Sequence, residues 1–169
     1  MRIDPDPHGA EFGVLSQYLD YQRETLLLKT DGLTREQLMR EHSPSELTLA
    51  GLLYHLALTE ETWMEVRFAG LPAREPWASV DWDDDPDWEF RTAVLLEPEQ
   101  LRSRYRDACD RSREVMLNST SLDQISIKGL GEGRHFSLRW VLLHLVEETA
   151  RHAGHADFLR EAIDGTVGE

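Results

Sequence analysis

The sequence places a glutamate and a histidine, Glu148 and His152, four positions apart in a segment with the apolar periodicity of a helix. In an α-helix such a pair differs by about 40° in azimuth and about 6 Å in rise, so both side chains can reach one point. Both residues lie on an otherwise apolar stripe, where a charged carboxylate is costly unless it is paired or bound to a cation. A divalent metal ion is the simplest partner for this pair.

A third candidate ligand, His55, lies in the middle of the apolar stretch from residue 52 to residue 58 of an earlier periodic segment. Helical bundles build metal sites from inward-facing side chains on facing helices. We therefore predict one divalent ion held by His55, Glu148 and His152. Such nitrogen and oxygen ligands accept zinc, nickel, iron or manganese, and zinc is the ion that we expect. The alternative is an ordinary core histidine at position 55 and a surface pair on the last segment.

Two further histidines flank the predicted ligands of the last segment. His144 lies one turn before Glu148 but about 12 Å in rise from His152, so we predict that it supports a ligand or lies in the core. His155 lies about 60° from His152 around the helix, where it could hydrogen-bond a ligand or a bound substrate. The other histidines fall in predicted loops or termini and receive no role: His8, His42 and His135.

The composition limits the classes of function. The 169 residues make one domain, residues 1–169, and the net charge of -14 argues against nucleic acid and anionic membranes as partners. No apolar run approaches the roughly 20 residues that span a bilayer, and the N-terminus lacks the apolar stretch of a signal peptide, so we expect a cytoplasmic protein. Cys109 is the only cysteine. This excludes an internal disulfide and a Cys-rich zinc site, and we expect Cys109 to be a buried, inert thiol.

The elements that must position these residues are four predicted helices and no convincing sheet. The periodic segments run from about residue 9 to 29, 48 to 66, 98 to 117 and 137 to 163. Thr48 and Ser137 are the predicted N-caps of the second and last helices, and Gly165 is the predicted stop of the last. This pattern predicts an all-α bundle.

Two connections stand out. Residues 71–96 have no sustained period and carry Trp77, Trp82 and Trp88, so we predict a long connection that crosses the bundle or shapes a site. The acidic run 81–87 lacks the ligand spacing of a calcium loop and is expected to be solvated. Residues 124–127 have a short strand-like pattern, followed by the glycine-rich turn 129–133.

Two stretches resemble the DinB-like superfamily, SELTLAGLLYHL at residues 45–56 and SLRWVLLHLVEETARHAGHAD at residues 137–157. The resemblance is closest to an actinobacterial branch. It implies a four-helix bundle in up-down-down-up order, with a long crossover between helices 2 and 3. It also implies a metal site of one residue from the second helix and two from the last. Most members use three histidines, whereas Glu148 replaces one of them here, as in the mycothiol-dependent maleylpyruvate isomerases.

The leading functional hypothesis is a divalent-metal-dependent thiol S-transferase or isomerase that uses a mycothiol-type co-substrate against a small electrophile. Two neutral imidazoles and one carboxylate leave net positive charge on the ion, so a bound thiol would lose its proton near neutral pH. The alternatives are a metal-dependent hydrolase and a non-catalytic, stress-related bundle that binds a metal or ligand. A homodimer is expected from the resemblance and from the prevalence of two-fold dimers.

Overall fold

The computed structural model describes residues 2–131 and 133–167, and throughout these residues it is helical with no strand. Its six α-helices are α1 (Glu11–Thr30), α2 (Arg35–Leu38), α3 (Leu49–Glu60), α4 (Trp88–Thr92), α5 (Pro98–Leu117) and α6 (Leu138–Asp164). Among the long helices, α1 packs most extensively against α6 and α3 against α5, while α3 also contacts α6. No helix in the described part of the chain is both long and apolar enough to cross a membrane.

Local signals set the ends of the long helices, as the sequence predicts. The Thr48 hydroxyl accepts a hydrogen bond from the amide of Gly51 at the start of α3. The Ser137 hydroxyl accepts a hydrogen bond from the amide of Trp140 at the start of α6. Gly165 ends that helix in a left-handed conformation with a φ of 76°. Helix α5 has the predicted bounds, whereas α1 begins two residues later than expected.

The second half of the predicted second helix is not α-helical. Instead, Glu61–Phe68 form a π-helix that continues α3. The wider π turn accompanies two buried carboxylates, Glu61 and Glu65. Glu65 accepts hydrogen bonds from Arg111 of α5 at 2.7 Å and from Arg74 at 2.9 Å. These ion pairs join the π-helix to α5 and to the connection that follows.

The connection between residues 71 and 96 is ordered and contributes to the core. It contains α4 and two turns of 3₁₀-helix, Trp77–Ser79 and Ala93–Leu95. Trp77 is buried against Tyr54 of α3, with ring centroids 4.5 Å apart, and Trp88 lies 6.1 Å from the same ring. These two tryptophans therefore attach the connection to α3.

The strand-like prediction for residues 124–127 is wrong. Ile125 forms an isolated bridge with Ser137, and no strand develops in the described residues around it. The predicted glycine turn is only partly visible, because Glu132 lies outside the described residues.

Cys109 is buried beside an ion pair in the core, as expected. The Arg23 guanidinium makes two hydrogen bonds to Glu60, of 2.7 and 2.6 Å, and both side chains are about 1% exposed. The Cys109 thiol lies 3.9 Å from the Glu60 carboxylate. Burial and this negative charge hold the pKa of Cys109 well above its usual range, so the thiol is unsuited to act as a nucleophile.

Candidate metal centre

Helices α3 and α6 bring His55, Glu148 and His152 together, with one potential ligand atom from each residue within 4.8 Å of the others. The Nε2 atom of His55 lies 3.3 Å from Oε1 of Glu148, and Nε2 of His152 lies 3.2 Å from the same oxygen. The two imidazole centroids are 5.0 Å apart. The structure thus joins the three side chains that the sequence singles out, across 93 positions of the chain.

The donor set fits a small divalent ion. Nitrogen and oxygen ligands lie about 2.0–2.2 Å from zinc, and tetrahedral placement separates two such ligands by about 3.4 Å. The observed nitrogen–oxygen separations of 3.2 and 3.3 Å are close to this value. Each of the three side chains is only partly exposed, so the helices shield the group from most of the solvent.

The three groups shift one another's pKa values in different directions. Burial opposes the charged form of His55, but hydrogen bonds to Glu89 and Glu148 outweigh burial and raise its pKa. Burial likewise opposes ionisation of Glu148, but the two histidines outweigh it and lower the pKa of this carboxyl. Burial and then the charge of His55 lower the pKa of His152. A metal ion must therefore compete with a proton held mainly by His55.

Glu89 is a participant that sequence analysis did not identify. It belongs to α4 in the crossover, is 4% exposed, and its Oε1 atom lies 2.9 Å from Nδ1 of His55. A proton on Nδ1 donates to this carboxylate and leaves the lone pair of Nε2 for an ion, which is how carboxylates commonly orient metal-binding histidines. The other oxygen, Oε2, is buried without a hydrogen-bond partner in the described residues.

Phe90, next in sequence, covers one face of the same imidazole. Its ring is stacked on His55 with centroids 4.8 Å apart and an interplanar angle of 20°. This packing requires a glycine at position 51, because a Cβ there would lie 2.9 Å from a Phe90 ring carbon. Neither Glu89 nor Phe90 belongs to a periodic pattern, and the signals that pointed to this segment were its unusual length and its three tryptophans.

The two flanking histidines occupy different surroundings. His155 contacts the cluster, since its Nδ1 atom lies 3.3 Å from Nδ1 of His152. His144 lies one turn away, stacked on Trp140 at 5.2 Å and edge-on to Trp63 at 4.4 Å. Their predicted roles in supporting ligands or contacting substrate remain predictions.

The comparisons with known proteins agree with this architecture. No curated protein matches the chain significantly. Among solved structures, the chain is similar to one described as the conserved protein of locus from Enterococcus faecalis. The identity is 14%, the TM-score is 0.71, and the match covers 94% of this chain and 99% of the other, which shows a shared fold. The family model for mycothiol-S-transferase matches residues 14–165. The chain therefore belongs to the mycothiol-S-transferase family, within the DinB-like superfamily that its sequence resembles.

Proposed function

We propose that this protein is a metal-dependent S-transferase that joins a mycothiol-type thiol to a small electrophile. The observation that carries the proposal is the convergence of two imidazole Nε2 atoms on one carboxylate oxygen, in a chain of the mycothiol-S-transferase family. In this proposal α1, α3 with its π continuation, α5 and α6 are the four helices of an up-down-down-up bundle. Residues 71–96 are its long crossover.

His55, Glu148 and His152 would hold the ion, and zinc is the expected metal. When bound, the ion supplies positive charge that lowers the pKa of a thiol next to it. Glu89 keeps the Nδ1 proton on His55, which leaves Nε2 as the ligand atom. Phe90 excludes water from one face of that imidazole.

The nucleophile must be a thiol from outside the chain, because Cys109 is buried and its pKa is raised. In the transfer, the thiol loses its proton to solvent, sulfur forms a bond to the electrophilic carbon, and the leaving group departs with the bonding electron pair. No oxidant or reductant is needed. An isomerase would use the same residues, with the thiol adding to a double bond and leaving again after rotation.

Thiol consumption tests this proposal against the hydrolase and the non-catalytic bundle. Zinc-loaded protein with mycothiol and iodoacetamide should consume both with saturation in each, and the His55→Ala variant should not. As a matched control, Phe158→Leu changes an exposed residue of α6 outside the three-residue cluster and should leave the rate unchanged. Turnover of an ester without thiol would instead indicate hydrolysis. Metal-dependent stabilisation without any turnover would indicate a binding protein.

A further inference from the structure

The two histidines of the proposed metal centre each have a second ring nitrogen, Nδ1, besides the Nε2 atom that approaches Glu148. In His55 this second nitrogen contacts the buried Glu89 carboxylate at 2.9 Å. In His152 it contacts another imidazole, since Nδ1 of His152 lies 3.3 Å from Nδ1 of His155. Each proposed histidine ligand therefore has one nitrogen next to the shared carboxylate and the other next to a neighbouring side chain.

The contact between His152 and His155 is made within α6. The two residues are three positions apart, a spacing that makes side chains neighbours on a helix surface. Their rings meet at 63° with centroids 5.3 Å apart. The side chain of His152 is only 12% exposed, whereas His155 is exposed. Helix α6 therefore supplies the proposed ligand and the neighbour of that ligand from one continuous element.

Metal binding through Nε2 of His152 fixes which of the two rings donates the hydrogen bond. A neutral imidazole carries one proton, and a nitrogen whose lone pair binds an ion carries none. The proton of a metal-binding His152 is therefore on Nδ1, next to Nδ1 of His155. The latter nitrogen must then accept, which leaves the proton of His155 on its own Nε2 atom.

Two other roles for His155 fit this contact less well. A role as a further ligand is not supported, because the potential ligand atoms that lie within 4.8 Å of one another in the described residues belong to His55, Glu148 and His152. In a role as a substrate contact, His155 would turn away from His152. The Nδ1 proton of His152 would then lose the acceptor that the structure gives it, which is costly for a largely buried group.

We propose that His155 is a positioning residue that holds His152 ready for metal binding by accepting a hydrogen bond from its Nδ1 atom. The inference rests on the proposed metal-dependent function and gives His155 the part that Glu89 has for His55. Loss of the partner of a metal-binding histidine typically costs 10- to 100-fold in metal affinity. His155 is exposed and its imidazole is a neutral acceptor, so we expect the lower end of this range, about tenfold.

The test compares zinc affinity in two variants by chelator competition at about pH 8, where free imidazole is neutral. His155→Leu removes the acceptor and should bind zinc about tenfold more weakly than the parent protein. His155→Asn keeps an oxygen acceptor near the position of Nδ1 and should recover most of the affinity. The matched control His8→Leu changes an exposed histidine near the N-terminus and should bind zinc like the parent. Unchanged affinity in His155→Leu, or a loss that His155→Asn does not recover, overturns the proposal.

Nitrogen-15 NMR of the zinc-loaded protein locates the proton itself. The Nδ1–H group of His152 should give an observable resonance in water, because a hydrogen-bonded proton exchanges slowly with solvent. This resonance should be lost in His155→Leu and present in His155→Asn. A resonance that persists in His155→Leu overturns the positioning role.

The same measurements separate this inference from the transferase proposal. A parent protein that binds no zinc overturns both. Zinc affinity that falls in His155→Leu and returns in His155→Asn supports the positioning role, even if the parent consumes no thiol and the transferase proposal fails. Thiol consumption by the parent together with unchanged zinc affinity in His155→Leu overturns the positioning role alone.

Discussion

The Nδ1 atom of His55 lies 2.9 Å from Oε1 of Glu89, which joins the middle of α3 to a short helix of the crossover 34 residues later. The carboxylate is buried and contacts the proposed metal centre through this imidazole. The contact makes the connection between residues 71 and 96 part of the proposed metal centre.

Removing this carboxylate should weaken metal binding without removing a ligand. We expect Glu89→Ala to lower zinc affinity about 10- to 100-fold, because His55 loses the partner that fixes its tautomer and orientation. The zinc affinity of Glu89→Gln should lie between those of the parent protein and Glu89→Ala, since the amide oxygen of glutamine still accepts a hydrogen bond from Nδ1 of His55. Competition with a chromophoric chelator measures the affinity. The control Glu147→Gln removes an exposed charge that pairs with Arg151, and an affinity loss as large as that of Glu89→Ala would contradict the prediction.

The predicted ligands should each be required for metal. We expect His55→Ala, Glu148→Ala and His152→Ala to be purified with less than about a tenth of an equivalent of zinc, because two remaining donors hold the ion weakly. His144→Ala should keep most of its metal, since His144 packs against Trp63 and Trp140 instead. Elemental analysis of protein purified without added metal decides this. Near-stoichiometric zinc in any of the three variants would remove that residue from the ligand set.

On acidification, the zinc affinity should begin to fall at a higher pH than it would at a site with an ordinary histidine. The pKa of His55 is raised, because its hydrogen bonds to Glu89 and Glu148 outweigh burial. A raised pKa means that the proton stays bound up to a higher pH, so protons compete with zinc already above the usual value of about 6.5. Chelator competition across a pH series measures this, with Phe158→Leu as the unaffected control. An affinity that is independent of pH down to about 6 would show that His55 binds no competing proton.

Exchanging Glu148 for histidine should keep the metal and change its charge. Imidazole can reach the same point from the same helical position, but the site then carries one negative charge less. The pKa of a bound thiol should fall, so the acidic limb of the rate profile of Glu148→His should move to lower pH. The pH profile of kcat/KM with iodoacetamide measures the shift. An acidic limb of the pH profile that stays in place or moves to higher pH would show that the charge of Glu148 does not raise the pKa of the bound thiol.

The buried ion pair between α1 and α3 should be important for stability. Glu60→Gln removes the buried counter-charge of the Arg23 guanidinium, so the free energy of unfolding should fall by about 3 kcal/mol. Asp20→Asn is the control, because Asp20 also pairs with Arg23 but is 41% exposed and should cost less than about 1 kcal/mol. Urea denaturation in the presence of a chelator measures both. Equal losses of unfolding free energy in the two variants would mean that the burial of the Arg23–Glu60 pair does not determine its contribution to stability.

The sequence alone determined the features that depend on local periodicity. Helix α5 has its predicted bounds, and Ser137 and Gly165 mark the start and the end of α6, because capping and stop signals act within a few residues. Glu148 and His152 were predictable as a pair, since a spacing of four places two side chains together on any helix. The proximity of Glu148 and His152 to His55 was predictable because His55 also lies on an apolar stripe of its own helix.

Only the tertiary structure decided which distant side chains complete this site. Glu89 and Phe90 lie in a segment without periodicity, and their contact with His55 depends on how the crossover packs against α3. The same holds for His144, which the sequence placed near the predicted ligands and which the fold packs against Trp63 and Trp140. Residues 124–127 alternate like a strand but do not form one, because a β-ladder needs a partner of matching length and, in the described residues, Ile125 forms an isolated bridge with Ser137. Local patterns determine the direction of a side chain on its own helix, whereas its neighbours across the bundle are set by long-range packing.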